Sequence, residues 1–339
     1  QSIMFHNLGY DVSIVTVKSG VAYNTKGAIF DLGQFKDEEN SVTGRVSRLL
    51  KLRKYFRRHK FDFIVDNRAR NLAYRELIIT KFIYKVPTIY VIHSYEETVA
   101  FTKYLWLNKY LYQNNQMVVV SEKGKEKFKK MYSLNKIDTI YNAFDFVEIK
   151  EFSKHNIYDK NLEDYIVYCG RINDKVKNLK LLLDAYNVSI LKGNNIKLLI
   201  LGDGEDLGLI KLYVKELGLD NNIIFKEFSE NPFPYFKNAR FTVLTSRSEG
   251  FAMVLAESLS VDTPVISVNF DAGPKEIIKH EFNGLLIENF NSSALANAFN
   301  SFIENKELYE KCKLNAESSV NKFSTDTISK DWESLLNKL

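Results

Sequence analysis

Apolar residues along the chain fall into short continuous runs, separated by longer segments with helical spacing. Runs rich in valine, isoleucine and aromatic residues occur at 11–17, 61–66, 88–93, 116–121 and 136–142, and again at 165–170, 196–201, 222–228, 241–246, 264–268 and 284–287. Between them, segments such as 46–59, 178–191 and 207–217 repeat apolar residues at helical spacing. Strands that alternate with helices in this way predict two doubly wound α/β domains, each built on a parallel sheet.

The domain boundary is marked by a change in this pattern. Segment 146–163 is polar, rich in lysine and without sustained apolar spacing, so we interpret it as the link between domains. We therefore expect one Rossmann-like domain at 1–145, a second at 146–324, and a closing helix at 325–339. The chain opens with Leu8-Gly9-Tyr10 directly before its first strand, so we also expect that the usual first strand and its loop are missing from this sequence.

Composition and charge narrow the range of partners. The chain has 339 residues, of which 45% are hydrophobic, which is enough material for two cores. Its net charge of +5 favours an anionic partner, and a nucleotide sugar, a lipid phosphate and nucleic acid all fit. Nucleic acid is disfavoured, because the sequence has no zinc-finger spacing, no aromatic RNA-binding signature and no long basic tail.

Cysteine usage and hydropathy bear on the location. Cys169 and Cys312 are the two cysteines, and they indicate neither a disulfide framework nor a metal cluster, which fits a reducing cytoplasm. No apolar run approaches the roughly 20 residues that span a bilayer. We also find no export signal and therefore expect a cytoplasmic protein.

Segment 248–257 is the most specific chemical feature of the sequence. Glu249 and Glu257 follow a predicted strand at the opening of a predicted helix. On a helix their spacing amounts to about two turns, so they can address two ends of one ligand, while free amides of the helix N-terminus suit a diphosphate. Two solvated glutamates are the alternative, and that alternative is favoured for this segment alone.

Two other turns also follow predicted strands. Arg171 and then Lys177 stand past the carboxyl edge of a parallel sheet, where they can neutralise phosphate oxygens. Gly202 and Gly204 follow the next strand, where glycine permits a tight turn or a close approach to a ligand. The alternatives are two solvated cations on a loop and a simple strand-to-helix turn.

Taken in order, these motifs resemble the retaining glycosyltransferases of family four. The set consists of Gly170-Arg171, Lys177-Asn178, Gly202-Asp203-Gly204, Ser248-Glu249-Gly250-Phe251 with Glu257, Thr263-Pro264-Val265-Ile266 and Gly273-Pro274-Lys275-Glu276. The ordered set covers nearly all of the second domain and is far more specific than any single motif. The first domain agrees more loosely, through Leu8-Gly9-Tyr10-Asp11-Val12 and Tyr141-Asn142-Ala143-Phe144-Asp145.

The resemblance implies a GT-B fold, in which two Rossmann-like domains face a central cleft. Domain 1–145 would bind the acceptor, and domain 146–324 would bind the donor, a nucleotide sugar. The implied donor-binding residues are Arg171, Lys177, Gly202, Gly204, Gly250, Phe251, Val254, Leu255 and Glu257. Of these, Gly250 and Phe251 would offer amides to the sugar, and Val254 and Leu255 would offer amides to the phosphates.

The resemblance also implies how the charged side chains act. Arg171 and Lys177 would hold the donor diphosphate, and Glu257 would bond the ribose hydroxyls. Glu249 would face the donor sugar near its reacting carbon, and His93 would contact the same sugar. Both are assigned to catalysis, Glu249 as an electrostatic and positioning group.

The implied chemistry needs no metal and no cofactor besides the co-substrate, a UDP-sugar. Breaking the anomeric C–O bond leaves an oxocarbenium-like sugar and extra negative charge on the diphosphate, which fixed cations and amides stabilise. Attack from the same face gives retention of configuration. The sequence of the second domain contains no obvious Asp-x-Asp metal motif, and UDP is chosen because it is the commonest nucleotide among family members.

The sequence departs from the family pattern at two places. Lys226, Glu227 and Phe228 stand where a glycine is frequent, and Arg240 stands where an acidic residue is common. We expect both departures to affect local packing more than donor chemistry.

Three segments of the first domain have two interpretations each. Arg68 and Arg70 follow a strand end, and they either bind an anionic acceptor or lie in a solvated loop. Segment 45–60 mixes leucines with arginines and lysines, so it either rests on an anionic membrane or packs its leucines onto the sheet, and we prefer packing. Segment 101–112, with Trp106, is either an interfacial aromatic face or ordinary core.

These observations lead to one main hypothesis and two alternatives. The main hypothesis is a retaining hexosyltransferase that moves a hexose or N-acetylhexosamine from a UDP-sugar to a glycan or lipid-linked acceptor in surface polysaccharide biosynthesis, such as capsule or lipopolysaccharide. One alternative is a GT-B epimerase, which needs acid and base groups on both faces of the sugar. The other is a non-catalytic relative that binds glycans or nucleotide sugars. Peripheral contact with the inner face of the cell membrane is left open.

Overall fold

The computed structural model describes residues 1–17, 19–20, 24–36, 41–157, 162–288 and 290–339. It divides into two compact units. The first unit consists of Gln1–Val120, Lys125–Ala143 and Thr325–Leu339, and the second consists of Ser121–Gly124 and Phe144–Ser324. The final segment of the chain therefore belongs to the first unit.

Parallel strands form the centre of the first unit. β1 (Ser13–Thr16) pairs with β2 (Ala28–Asp31), and a separate sheet joins β3 (Ile64–Asp66), β4 (Thr88–Ile92), β5 (Gln116–Val119) and β6 (Ile137–Thr139) in that order. All five residues of β4 are buried, which explains why this strand is a continuous apolar run rather than an alternating one. The apolar pattern predicts each of these strands except β2.

Helices cover these strands. They are α1 (Ser2–Asn7), α2 (Val42–Arg58), α3 (Ala73–Ile78), α4 (Glu97–Ala100), α5 (Leu105–Tyr112) and α6 (Glu122–Tyr132), with a 3₁₀ turn at Gly33–Phe35 and a π-helical turn at Ile79–Ile83. α2 begins after Ser41, whose hydroxyl accepts a hydrogen bond from the Gly44 amide at 3.0 Å. Leu52 is buried, and Leu49 and Phe56 pack beside it against β1 and β2. Leu49 and Leu52 therefore pack on the sheet, as the preferred interpretation of this segment has it, whereas Leu50 is 58% exposed.

The aromatic segment 101–112 divides between core and surface. Phe101 and Tyr112 are fully buried and pack with their rings 5.8 Å apart. Trp106 and Tyr110, one turn apart on α5, are 69% and 62% exposed. The core interpretation therefore holds for Phe101 and Tyr112, whereas Trp106 and Tyr110 lie at the surface.

The second unit contains a six-stranded parallel sheet. Its strands are β7 (Tyr165–Cys169), β8 (Lys197–Leu201), β9 (Ile223–Lys226), β10 (Thr242–Leu244), β11 (Val265–Val268) and β12 (Gly284–Ile287), in the order β12-β11-β10-β7-β8-β9. The chain builds outward from β7 on one side and then returns to build from β10 on the other. The point where the order reverses therefore lies between β7 and β10.

Helices follow the strands of this sheet as the apolar spacing predicts. They are α7 (Phe146–Ser153), α8 (Asp174–Lys177), α9 (Leu179–Val188), α10 (Leu207–Glu216), α11 (Phe233–Asn238), α12 (Met253–Leu259), α13 (Pro274–Ile277), α14 (Ser292–Glu304), α15 (Lys306–Leu314) and α16 (Ala316–Ser319), with a 3₁₀ turn at Asn321–Phe323. The last helix, α17 (Thr325–Leu336), belongs to the first unit, where its buried Trp332 packs edge-on at 5.3 Å against Phe5.

The structure corrects the interpretation of segment 146–163 as a link. Its first half is the helix α7, which begins where the Asp145 carboxylate accepts a hydrogen bond from the Glu148 amide at 2.9 Å. α7 buries Ile149 and packs against α11 inside the second unit. Residues 158–161 lie outside the described residues. A helix of eight residues is too short to show sustained apolar periodicity.

The family departure at Arg240 has a local explanation. Its guanidinium forms a two-point ion pair with Asp164, with Nη2 at 2.7 Å from Oδ2. Both residues stand at the entry to neighbouring strands, β10 and β7, which are paired in the sheet. The basic residue is therefore compensated by an acidic residue on the adjacent strand, and the departure concerns packing.

We expect Gly202→Ala to destabilise the second unit by about 2–4 kcal/mol. A Cβ at this position would meet the carbonyl oxygen of Gly170 at 2.1 Å, and the φ of +146° is strained for other residues. Gly208→Ala is the matched control, since no atom lies within 4 Å of its Cβ and alanine favours the helix by about 0.5–1 kcal/mol. Urea unfolding of both variants measures the difference. Equal stability of the two variants would contradict this close packing.

Candidate functional site

The turns after β7 and β10 are fixed to each other. The Thr245 hydroxyl donates to the Lys177 carbonyl at 2.9 Å, and the Arg247 amide donates to the Val176 carbonyl at 2.8 Å. These bonds join the turn after β10 to α8, at the point where the strand order reverses. Doubly wound sheets bind ligands at this point, beyond the carboxyl ends of the strands.

The central feature of this region is an ion pair between Lys177 and Glu249. The Lys177 ammonium donates to Glu249 Oε1, which also accepts from the Ser246 hydroxyl at 2.7 Å. Each charged side chain is only 19% exposed, so water screens the pair less than it screens a surface pair. The structure thus brings together two residues that the sequence pattern predicts to share one ligand.

Glu257 lies near this pair but has a different environment. It is on α12, half-buried, and its carboxylate has no hydrogen-bond or ionic partner among the residues that the structure describes. Burial raises the pKa of Glu257 to about 7. The Cys169 thiol lies at the end of β7. Burial above all raises the pKa of Cys169 to about 12, the Glu257 charge also raises it, and the Lys177 charge lowers it. Glu257 and Lys177 therefore flank the end of β7.

The helix geometry expected for the two glutamates is wrong. α12 begins at Met253, so Glu249 lies in the preceding turn and not on the helix. Glu249 and Glu257 consequently are not separated by two helical turns. The turn places the Glu249 carboxylate against the Lys177 ammonium. The helix places the Glu257 carboxylate near the Cys169 thiol.

Backbone amides at the start of α12 differ in availability. Within the described ranges, the amides of Gly250 and Val254 have no acceptor, so both can serve a ligand. The Leu255 amide already donates to the Ala252 carbonyl at 3.0 Å, so the structure does not support its predicted role. The Phe251 ring is buried and packs edge-on against Phe323 at 5.1 Å, which fixes the turn.

Gly202 and Gly204 act through the backbone. A side chain at Gly204 would meet the Ile172 carbonyl at 2.2 Å, as one at Gly202 would meet that of Gly170. The Ile172 amide donates to the Asp203 carbonyl at 2.8 Å between these contacts. The two glycines thus allow the turn after β8 to lie against the turn that contains Arg171.

Arg171 is held by its main chain only. Its carbonyl accepts a hydrogen bond from the Tyr168 hydroxyl at 2.9 Å, while its guanidinium is exposed and has no acidic partner in the described part of the chain. A cation anchored at the backbone and open at its end is suited to an anionic ligand.

The structure does not support an acceptor role for Arg68 and Arg70. Arg70 is 1% exposed, and its guanidinium donates to the carbonyls of Asp66, Arg68 and Val91 at 2.6–3.2 Å. Arg68 pairs with Asp66 at 2.6 Å and with Glu76 at 3.2 Å. Burial alone would raise the pKa of Asp66, but the two arginine charges outweigh it and lower that pKa. Both arginines are structural cations of the first unit.

His93 follows β4 in the first unit. Its Nε2 lies 2.8 Å from the Asn67 side-chain oxygen, and Asn67 in turn donates to Gln1 at 2.8 Å. Because that oxygen only accepts, Nε2 bears the proton and Nδ1 is left as an acceptor. The side chain keeps solvent access, but surrounding protein atoms and the Arg70 charge lower the pKa of His93 to about 4. His93 is therefore neutral at pH 7.

Sequence reasoning missed three residues that position these groups. Ser246 holds Glu249, Thr245 holds the Lys177 carbonyl, and Asn67 sets the His93 tautomer. Thr245 and Ser246 stand at the end of a predicted strand just before Glu249, which is a signal that could have found them. Asn67 has no comparable signal, since its partner is 26 residues away.

Comparison with known proteins identifies the family. The model of the family described as glycosyl transferases group 1 matches residues 148–319, and that of glycosyltransferase family 4 matches residues 4–147. These matches confirm the resemblance stated from the sequence motifs.

Curated relatives are named as glycosyltransferases of phosphate polymers or of capsular polysaccharide biosynthesis. The poly(glycerol-phosphate) alpha-glucosyltransferase of Bacillus subtilis is 27% identical over 297 residues, which are 82% of this chain and 41% of the relative. The poly(ribitol-phosphate) alpha-N-acetylglucosaminyltransferase of Staphylococcus aureus is 27% identical over 262 residues, which are 75% of this chain and 50% of the relative. The chain thus spans about half the length of these relatives. The capsular polysaccharide biosynthesis glycosyltransferase CapM of Staphylococcus aureus is 26% identical, over 85% of this chain and 80% of CapM.

Solved structures share the fold. A glycosyltransferase of Rickettsia africae has a TM-score of 0.77 at 17% identity and covers 99% of this chain and 92% of its own. HepE of Anabaena, solved with UDP and glucose, has a TM-score of 0.72 at 20% identity and covers 93% of this chain and 87% of its own. These likenesses confirm the predicted GT-B class with two Rossmann-like units.

We expect Glu257→Gln to stabilise the protein at pH 8 by about 1–3 kcal/mol and to have little effect at pH 4. The pKa of Glu257 is raised from 4.5 to about 7 by folding, so the native state holds the proton more tightly. The contribution of Glu257 to stability is therefore lost as the pH rises from 4.5 to 7. Unfolding of both proteins across this range measures the difference, and a difference independent of pH would contradict the raised pKa.

We expect His93 to remain neutral, with its proton on Nε2, at all pH values above about 5. In Asn67→Ala both tautomers should appear, because the acceptor is lost, whereas in Asn67→Asp a carboxylate should raise the pKa of His93 by about 1 or more. Long-range ¹H–¹⁵N NMR of the imidazole distinguishes these states. A wild-type protein with the proton on Nδ1 would refute the assignment.

Proposed function

Because the chain belongs to the glycosyl transferases group 1 family, we propose that it is a retaining, metal-independent transferase that moves a hexose or N-acetylhexosamine from a UDP-sugar to a glycan or lipid-linked acceptor. We place this reaction in surface polysaccharide biosynthesis, in keeping with the names of its relatives. The observation that supports transfer most directly is the partly shielded pair of Lys177 and Glu249 beyond β7 and β10.

The pair has the polarity that the reaction requires. When the anomeric C–O bond of the donor breaks, negative charge grows on the diphosphate and positive charge grows on the sugar ring. Lys177 presents a cation and Glu249 an anion, held in fixed orientation by Ser246 and Thr245. A preorganised dipole of this kind stabilises charge separation in the transition state more than it stabilises the neutral sugar in the ground state.

The nucleotide end of the donor fits the remaining groups. We assign the diphosphate to Lys177, the exposed guanidinium of Arg171 and the free amide of Val254, and the ribose hydroxyls to Glu257. UDP as the nucleotide is supported by HepE, whose structure contains UDP and glucose. Two cations and one amide supply positive charge to the leaving group, so the proposal includes no metal ion.

The bond changes then balance as follows. The acceptor oxygen bonds to the anomeric carbon on the face from which the diphosphate departs, and the acceptor proton passes to a phosphate oxygen of the leaving UDP. The products are the glycoside, with the configuration of the donor, and UDP. Glu249 acts as an electrostatic and positioning group, and we assign to the neutral His93 a hydrogen bond with the donor sugar.

We expect UDP release from a panel of UDP-sugars, stimulated by lipid-linked or glycan acceptor, to fall by about 100-fold or more in Lys177→Met and in Glu249→Gln. Lys175→Met is the matched control, because it removes a cation from the same short helix, α8, but two positions away and so on another side. It should keep the wild-type rate. Proton NMR of the product should show the anomeric configuration of the donor, and a chelator should leave the rate unchanged.

Two outcomes would replace the proposal. Saturable binding of a UDP-sugar without any release of UDP, in the presence of acceptor, would make the protein a non-catalytic binder of nucleotide sugars. Conversion of one UDP-sugar into its epimer would identify an epimerase. Equal loss of activity in Lys175→Met and Lys177→Met would show that the charge of α8, rather than the ion pair, matters.

A further inference from the structure

Three neighbouring helical segments of the first unit present cations and large apolar side chains to solvent. They are α2, the π-helical turn Ile79–Ile83 and α5. Leu52 of α2 packs in one cluster with Ile79 and Ile83, and the Lys81 ammonium lies 4.3 Å from the centre of the Tyr110 ring on α5. We call their outer side the basic-aromatic face, defined by Leu50, Arg53, Arg57, Phe82, Trp106 and Tyr110.

The charge of this face is of one sign. α2 contains seven arginines and lysines among its 17 residues and no aspartate or glutamate. Arg53, Lys54, Arg57 and Arg58 surround, with Leu50, a surface recess of 350 Å³. None of these four cations has an acidic partner among the described residues. Uncompensated cations around a recess favour anionic groups such as phosphates.

The same face exposes side chains that water does not favour. Trp106 is 69% exposed, Tyr110 62%, Phe82 59% and Leu50 58%. Tryptophan and tyrosine are suited to the boundary between lipid and water, because the ring enters the apolar layer while its polar atom stays hydrated. Trp106 and Tyr110 lie one turn apart on α5, and neighbouring exposed side chains of this size mark an interaction surface.

The mixture identifies the kind of partner. On α2, Leu50, Arg53 and Arg57 follow one another at helical spacing, so one exposed apolar side chain and two cations share one stripe. An inorganic polyphosphate engages the cations but offers the rings no apolar partner, and the centre of a protein interface is depleted of charge. An anionic bilayer binds both kinds of side chain, because its phosphates pair with the cations and its apolar layer accommodates the rings.

We infer that the basic-aromatic face binds the surface of an anionic phospholipid membrane. Binding is peripheral in this proposal, and among the described residues no helix combines the length and apolar character needed to cross a bilayer. The inference stands on the first unit alone and does not depend on the proposed reaction.

Tryptophan fluorescence provides a direct test, since the chain has two tryptophans. Trp332 is 2% exposed and serves as an internal constant, whereas Trp106 is on the face. We expect the emission of the full chain to shift to the blue with vesicles of phosphatidylcholine and phosphatidylglycerol, and not with phosphatidylcholine alone. In Trp106→Phe the shift should disappear although the protein still sediments with the vesicles.

Two sets of variants separate the charges from the rings. Arg53→Gln with Lys54→Gln and Arg57→Gln should weaken vesicle binding by about 100-fold at low salt. Trp106→Ser with Tyr110→Ser should weaken it by about tenfold at low and high salt alike. The matched control removes three exposed lysines from α15 in the second unit, Lys306→Gln with Lys311→Gln and Lys313→Gln, and should bind as the wild type does.

Three results would overturn the inference. Equal weakening by the α15 control would mean that net charge, and not this face, attracts the vesicles. Tight binding of inorganic polyphosphate with no movement of the Trp106 emission on vesicles would assign the cations to a soluble polymer. A blue shift that depends on protein concentration without vesicles would assign the rings to a second copy of the chain.

Discussion

A contact that leaves no room for a side chain sets the geometry of the second unit. Gly202 and Gly204 bring the turn after β8 against the carbonyls of Gly170 and Ile172, at distances that a Cβ could not occupy. Arg171 stands between those two carbonyls, so the backbone fixes its origin while its guanidinium stays free to turn. α8 continues from the same turn and delivers Lys177 to Glu249. The arrangement of charges at the edge of the sheet thus depends on glycine at these two positions.

The two units treat buried charge in opposite ways. In the first unit, Arg68 and Arg75 neutralise Asp66 and Glu76, and the guanidinium of Arg70 is engaged by carbonyls. Such a network is strongly destabilising to interrupt, because one charge is then left buried without a partner. In the second unit, Glu257 is buried enough to raise its pKa to about 7, yet receives no compensation within the described residues. Uncompensated, perturbed groups are more typical of binding sites than of scaffolds.

Sequence patterns predicted what depends on local order and missed what depends on distant partners. The strands could be predicted because buried parallel strands are continuous apolar runs. Lys177 and Glu249 could be predicted as site residues because both follow such runs. α7 was missed because its start depends on the cap at Asp145 and its interior buries few side chains. The exposed position after a strand suggested a ligand for Arg70, whereas its actual acceptors include the carbonyl of Val91, 21 residues away. Neither spacing nor composition determines in which direction a long cationic side chain such as that of Arg70 points.

The path of the chain has a consequence for how the protein is made. The second unit is entered and left at neighbouring points, where the Phe144 amide donates to the Phe323 carbonyl at 3.0 Å, and the chain then returns to the first unit as α17. During synthesis, the first unit therefore emerges without the helix whose Trp332 packs on Phe5. Until the whole of Phe144–Ser324 has been translated, an apolar patch around Phe5 stays uncovered, and exposed apolar surface of a partly folded chain is prone to aggregation.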